Sequence, residues 1–253
     1  MTQQTIDHLS YSQINCYLTC PLRYKFQYAD KIPPAFTASS LAFGSAIHEA
    51  VAAFYQTRLE GDALRPDQML DVYRDSWGQA ESVKFFNGDN EETLVNRAEQ
   101  FVHVFCDAVD PSIQVLGVEE FFELSLEGLP PFHGYIDLIE QSADGMATVA
   151  DLKTASKKPS SANVQNNLQL TAYALGAEAL GFEPDGLNLR LDVLLKSKTP
   201  EMVKLETART IEDRHRFIRL VYGVWNGIER EVFFPRQDWT CSQCAWAADC
   251  HQW

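Results

Sequence analysis

Asp151 and Lys153 stand two positions apart in Val149-Ala150-Asp151-Leu152-Lys153-Thr154, and Asp137 precedes Asp151 by fourteen residues. Side chains two apart on a strand project to one face, so this carboxylate and this ammonium can share a site. A hairpin turning at Asp144-Gly145 would bring Asp137 beside Asp151. Adjacent carboxylates repel, which raises a proton affinity or recruits a cation, and hard oxygen donors suit Mg²⁺ or Mn²⁺. Such a cation polarises a phosphoryl oxygen, lowers the pKa of a bound water and steadies the leaving oxygen. A nearby lysine orients the water or balances developing negative charge. Taken alone, Asp-x-Lys is more often a structural ion pair, but here it has company. Asp137 closes Gly134-Tyr135-Ile136-Asp137, and Gln169 and Tyr173 follow at i, i+4 spacing, on one helical face.

Thiols make a second constellation. Cys241-x-x-Cys244 and Cys250 lie within ten residues, and Cys20 stands 221 residues upstream beside Pro21 and the aromatic pair Tyr24 and Phe26. Three close thiolates and one distant one make four, the number a 4Fe-4S cubane takes from protein. A four-cysteine zinc site also accepts a C-x-x-C half, though it more often adds a second close pair. Spacing fits either metal, with Cys16 and His251 as substitute zinc ligands. Cys106, in an apolar helical stretch, and Cys16 otherwise read as packing residues. Trp239, Trp246 and Trp253 either shield a cluster from water or fill a small core in the tail.

These residues need a frame. Ser10 with Gln13 is a capping-box pattern that opens a helix to about Thr19, stopped by Pro21, so Cys20 sits at a helix end. Residues Ile32–Ser40 read as a loop. Helices are expected over Phe43–Leu59, Pro66–Ser82 and Glu91–Val109, with Phe85–Glu92 as a connecting loop. The first carries His48 beside a face of Ile47, Val51 and Phe54. Strands follow at Val115–Leu126, Phe132–Gln141 and Met146–Lys153, then a helix at Ala162–Leu180. Further strands are expected at Leu187–Lys196 and Glu201–Thr207, then a helix at Ile211–Arg230 and a tail without a clear period. One unit over 1–253 is expected, with a helical part (1–110), an α/β body (111–210) and a helix and cysteine-rich tail (211–253).

Composition sets limits. At 253 residues and 45% apolar content the chain can bury a substantial core. The opening Met1–Leu9 has neither a basic nor an apolar leader region, and no stretch approaches the roughly 18 apolar residues of a membrane span. A soluble cytoplasmic protein with no membrane partner is expected, in which clustered cysteines favour metal over disulfides. The net charge of −14 opposes nucleic-acid binding. A narrow basic track on an acidic body would reconcile the two: Lys153, Lys157 and Lys158; Lys196 and Lys198; Arg214, Arg216 and Arg219. No G-x-x-x-x-G-K-[ST] loop is present, so any motor would come from another chain.

The ordered set G-x-I-D, D-L-K-T and Q-x-x-x-Y, with Gly44-Ser45-Ala46-Ile47-His48 upstream, resembles the RecB-family branch of the PD-(D/E)XK nucleases. The resemblance implies a restriction-endonuclease-like α/β fold, a mixed β-sheet flanked by helices. It implies that His48, Asp137, Asp151 and the Leu152 carbonyl hold Mg²⁺ or Mn²⁺ and that Lys153 is the catalytic lysine. Gln169 and Tyr173 would line the site and touch DNA, with Lys157 and Lys158 as further DNA contacts. Glu119, in Val118-Glu119-Glu120, matches the family's acidic residue on the preceding strand, with Glu120 as its rival. The lone Cys20-Pro21-Leu22-Arg23-Tyr24, the C-x2-C-x5-C trio and the Ser10-Tyr11-Ser12 lead-in resemble the iron-sulfur staple of AddB-type and CRISPR adaptation nucleases. Cys20, Cys241, Cys244 and Cys250 would then bind a structural 4Fe-4S cluster clamping the two chain ends. The activity implied is DNA hydrolysis at single-stranded ends in repair, recombination or CRISPR adaptation, with a helicase or adaptation partner. The rival is an iron-sulfur module that grips DNA ends without cutting.

Overall fold

Strands buried on both faces build the centre of the sheet, and helices cover both of its faces, some amphipathic (α5 and α8) and some apolar nearly all round (α3 and α7). The computed structural model of the chain describes residues 6–253. Its N-terminal half comprises β1 (Leu9–Ser10), α1 (Tyr11–Thr19), α2 (Pro21–Tyr24) leading into a π-helical turn at Lys25–Ala29, β2 (Thr37–Ala38), α3 (Ser39–Leu59), α4 (Pro66–Gly78), β3 (Val83–Lys84) and α5 (Glu91–Ala108). There follow β4 (Gln114–Leu124), β5 (Phe132–Gln141), β6 (Ala147–Ala155), α6 (Ser161–Gln165), α7 (Leu168–Ala179), β7 (Leu187–Leu195), β8 (Glu201–Thr207), α8 (Ile211–Glu229) and α9 (Ala247–Cys250). Short 3₁₀ turns lie at Pro184–Gly186 and Trp239–Gln243.

The main sheet runs β1-β5-β6-β7-β8, with β4 paired to β5. Pairings β4–β5, β5–β6 and β7–β8 are antiparallel, while β1–β5 and β6–β7 are parallel. This is the mixed sheet expected. The parallel β6–β7 pair needs a crossover, which α6 and α7 supply. One core sets Val149, Leu191 and Phe122 against Leu170 and Ala174 of α7 and Phe217 and Val221 of α8. The other sets Ala150, Leu152 and Leu194 against Phe43 and Ile47 of α3 and Phe101 and Phe105 of α5. Each of the buried Val, Leu, Ile and Phe side chains contributes on the order of 1.5–3 kcal/mol by leaving water. Strand β6 alternates between the two cores, and so delivers its polar residues to a position fixed on both sides.

Ser10 caps α1 as expected, its side chain accepting from the Gln13 N–H, and Asn90 and Thr210 cap α5 and α8 in the same way. Three expected boundaries change. Helix α3 starts at Ser39, and the Ile32–Ser40 segment contains β2, which pairs with β3. Helix α4 stops at Gly78 rather than Ser82, leaving Val83–Lys84 to form β3. The helix expected over Ala162–Leu180 is two helices. Asn167 caps the Leu170 N–H, while Arg209 donates to the Val164 and Asn167 carbonyls and to Thr171 Oγ1. The junction carbonyls are thus satisfied without a continuous helix.

Candidate active site and cysteine pocket

Strand β5 has two partners along one edge. Strand β1 takes Phe132 and His133, and β6 takes Leu138 to Gln141. Asp137 falls in the gap between them, next to the pairing Leu138↔Ala150. Extending that register sets Asp137 against Asp151. Strands β5 and β6 part here, and the Leu152 N–H donates to Asp137 Oδ2 at 3.0 Å instead of to a ladder carbonyl. Tyr173 Oη donates to Asp137 Oδ1 at 2.7 Å and accepts from Gln169 Nε2 at 2.9 Å. Gln169 and Tyr173 therefore act in series, the first orienting the second and the second orienting Asp137.

A change of face in β4 and β5 makes room for this. Leu138 and Val118 pack with the second core, whereas Ile136 and Phe122 pack with the first. Strict alternation would send residues two apart to the same side. The switch brackets Asp137 and its cross-strand neighbour Glu119, and Glu119 has a left-handed backbone, φ 51°. Non-glycine residues pay for that conformation, and such strain concentrates at functional positions. The irregularity also decides between the adjacent glutamates. Glu120 lies back over Gly117, where any Cβ would come within 2.4 Å of its Cγ. Glu119 offers an oxygen that lies with donor atoms of His48 and Asp137 inside a 4.8 Å group.

His48 reaches this group from α3. Its Nδ1 lies 3.5 Å from Asp137 Oδ2, and the ring lies beside the Leu152 backbone. Burial lowers the imidazole pKa against the pull of Asp137, which favours the neutral, metal-ligating form. Burial, with the charges of Asp137 and Glu49, pushes the Glu119 carboxyl up to about 7. A cavity of about 20 Å³, room for one water, opens between His48, Glu119, Asp137, Leu152 and Asp192.

Asp151 is fully buried beside this group rather than inside it. Lys153 Nζ donates to its Oδ1 at 2.7 Å, while Oδ2 has no hydrogen-bond partner among the described residues. Burial raises the Asp151 carboxyl to about 7, and the lysine opposes the rise. An unpaired buried carboxylate oxygen beside a histidine and two more carboxylates is a donor set that a hard divalent cation fits.

Three contributions come from residues outside the sequence motifs. Tyr11, at the start of α1, lies close enough to Lys153 and Asp151 to feel both charges, and Glu49 does the same for Glu119 and His48. Behind the site, Arg190 donates to both Asp192 oxygens at 2.6 and 2.8 Å and to Glu140. Arg190-x-Asp192 repeats the two-residue strand spacing of Asp151-x-Lys153, and that spacing was the available signal. The motif glycine Gly134 also gains a reason. A Cβ there would fall 2.3 Å from Phe122 Cζ, and one at Gly176 would fall 2.5 Å from Phe122 Cδ1. The Phe122 ring is held between these two glycines and supports Tyr173 edge-on at 6.4 Å.

Lys157 and Lys158 are exposed just beyond β6. Lys196 lies instead over the Phe43 ring at 4.7 Å. Arg214 pairs with Glu178 at 3.9 Å and Arg216 with Asp213 at 4.0 Å, on the α8 side. Of the expected basic track, Lys157, Lys158 and Lys198 are exposed, and its three arginines all lie on α8.

At the far end, Cys20, Cys241, Cys244 and Cys250 line one cavity of about 290 Å³, with His251 also in its wall. The Arg236 N–H donates to Cys20 Sγ and the Asp238 N–H to Cys241 Sγ, both at 3.5 Å. Trp246 is buried with Leu22 and Phe26, its indole N–H donating to the Ile32 carbonyl at 2.9 Å. Trp239 and Trp253 are exposed, so neither shields the cysteines. Cys16 contacts Gln27 and packs on the first core, and Cys106 touches Met69 in the second; neither lines the cavity.

The Gene 69 protein of Mycobacterium phage D29 is 29% identical over 267 aligned positions that cover 93% of each chain. The crystal structure of a protein described as a putative exonuclease from Eubacterium rectale shares the fold, with a TM-score of 0.56 at 12% identity over 88% of this chain and 79% of that one. The profile of the PD-(D/E)XK nuclease superfamily matches residues 8–251. From that match, the chain belongs to the PD-(D/E)XK nuclease superfamily.

Proposed function

We propose that the chain, acting as one domain over 1–253, is a Mg²⁺- or Mn²⁺-dependent deoxyribonuclease that hydrolyses phosphodiesters from single-stranded ends. The observation that carries this reading is the convergence of His48, Glu119 and Asp137 within 4.8 Å, next to the buried Asp151 and its ion-pair partner Lys153. His48, Glu119, Asp137, Asp151 and the Leu152 carbonyl would hold the cation. When bound, it supplies Lewis acidity, a water of lowered pKa and charge for the leaving oxygen. Tyr173 and the Leu152 N–H fix the Asp137 rotamer, and Gln169 fixes Tyr173. Lys153 contributes a positive charge whose position Asp151 sets, aimed at a phosphate as negative charge develops. Lys157 and Lys158 extend that charge along the strand's path.

We further propose that Cys20, Cys241, Cys244 and Cys250 bind a 4Fe-4S cluster. Four sulfurs on one cavity and two backbone N–H groups donating to them suit cluster thiolates. Zinc bonds of about 2.3 Å would hold tetrahedral sulfurs about 3.8 Å apart. Among the described residues no three of these sulfurs group even within 4.8 Å, which favours the larger cluster. The likeness to AddB-type and CRISPR adaptation nucleases leaves repair, recombination and adaptation as settings, with a helicase or adaptation partner, in the cytoplasm.

The test is digestion of end-labelled single-stranded DNA by anaerobically purified protein with Mn²⁺, Mg²⁺ or chelator, with iron and sulfide counted on the same sample. Lys153→Ala should lower cleavage about 10²- to 10³-fold, and Asp151→Asn at least as much, with iron content unchanged in both. Undiminished cleavage in both variants would refute the assignment. Tight binding of ends without metal-dependent cleavage would select the non-cutting end-binding module instead.

A further inference from the structure

We propose that Phe121, Tyr135, His133 and His8 form a nucleobase-stacking platform that holds a single-stranded polynucleotide as it leads into the metal site. This rests on the nuclease reading above and adds a subsite to it. Beyond Asp137 and Glu119, strands β4 and β5 continue outward with Phe122, Phe132 and Ile136 in the core and their alternate residues on the outer face. Three of those alternate residues carry rings, Phe121, His133 and Tyr135, and the fourth is Glu123. Phe121 and Tyr135, 46% and 56% exposed, stand opposite each other in the ladder with ring centroids 5.3 Å apart. The Phe121 and His133 rings lie 5.2 Å apart, and His8 stacks on His133 at 4.9 Å and 14°. The two strands, with His8 just before β1, thus carry a continuous run of four rings. Tyr135 is two residues from Asp137, a step of about 7 Å along a strand.

Both position and chemistry select the occupant. The run starts next to the carboxylates of the metal site, on the same two strands, so whatever occupies it abuts the reacting phosphate. Its flanks are acidic: Glu119 stands at one end, and Glu123 pairs with His133 at 2.8 Å. A phosphate backbone is repelled from such a surface, whereas the faces of unpaired bases stack on aromatic rings whatever their sequence. Base pairs within a duplex have both faces already covered, so the platform discriminates for single strands. It also supplies affinity that does not depend on charge, which a body of net charge −14 needs in order to bind a polyanion.

The experiment measures equilibrium binding of a fluorescent twelve-nucleotide thymidine strand, and of an abasic strand of equal charge, to the full chain in chelator. Cleavage by wild-type protein in Mn²⁺ is assayed separately. Phe121→Ala and Tyr135→Ala should each weaken thymidine-strand binding by about 10-fold or more while leaving the abasic strand unchanged. Tyr135→Trp should retain binding, and Tyr135→Leu, which keeps bulk but not the ring, should lose it. Equal binding of both strands by wild type, equal losses on both strands, or unaltered binding in the alanine variants would overturn the platform. An oligomer dissociating in these variants with binding unchanged would reassign the face to a second copy of the chain. Absent cleavage alongside base-selective binding would strike the nuclease reading and leave the platform standing.

Discussion

The two candidate metal centres are built in opposite ways. At the sheet gap the donors hang on long elements, α3 and strands β4, β5 and β6, and hydrogen bonds from Leu152 and Tyr173 already fix Asp137. Around the cysteine cavity, three of the four proposed ligands sit on the short turns Trp239–Gln243 and Ala247–Cys250 or between them, against a small core around Leu22, Phe26 and Trp246. The first centre is preorganised by packing, which makes it suited to exchange a labile cation. The second has little apolar area to hold it, so its order depends on what the thiolates bind. Stability should therefore depend on the cysteine ligands, and catalysis on the acidic ones.

The largest effect expected is from Cys20→Ser, which removes the one proposed ligand outside the tail. Loss of iron, ready proteolysis of the segment after α8 and a stability loss of several kcal/mol should follow, since binding energy at such sites is folding energy. Calorimetry and limited proteolysis read this out, and an iron-free variant melting like the wild type would erase the contrast. Next comes Gly134→Ala, which drives a methyl into the Phe122 ring. It should cost about 1–3 kcal/mol and also reduce cleavage, because Phe122 supports Tyr173. A stability loss with full cleavage would detach the motif glycine from the site.

Tyr173→Phe keeps the packing and deletes the hydrogen bond to Asp137. Cleavage should fall about 10-fold or more, in line with about 1.5–3 kcal/mol for a hydrogen bond to a charged group, with a melting shift below that of Gly134→Ala. The smallest effect concerns pH. Glu119 and Asp151 are each raised to about 7 by burial, above an unfolded value near 4. Between these values the metal-free native state binds more protons than the unfolded chain, so this contribution to stability is present at low pH and lost as pH rises through about 7. Metal binding requires the ionised forms, so stabilisation by Mn²⁺ should be larger at about pH 8 than at about pH 5.5. An equal shift in melting temperature at both would remove these carboxyls from the metal set.

Much of this site was readable from local spacing. The Asp151-x-Lys153 alternation, the hairpin at Asp144-Gly145 and the i, i+4 pair Gln169 and Tyr173 depend on strand and helix periods, which the chain carries in any context. The choice of Glu119 over Glu120 was not readable, because it turns on a left-handed residue at which two strands exchange cores. Nor was the interruption of the helix at Asn166–Asn167, which Arg209 makes from across the fold. The approach of Tyr11 to Lys153 escapes any period for the same reason, since the two lie far apart in sequence.

By itself, then, the sequence determined the kinds of element, their order, the strand faces carrying Asp137, Asp151 and Lys153, and the two groups of metal-type ligands. Only the tertiary structure decided which carboxylate enters the gap, how Asp137 is held, which tryptophan is buried and where aromatic rings continue the site. The physical reason is range. Periodicity is a property of neighbouring residues, whereas a gap in a sheet, a strained backbone or a ring between two glycines exists only once distant segments pack together.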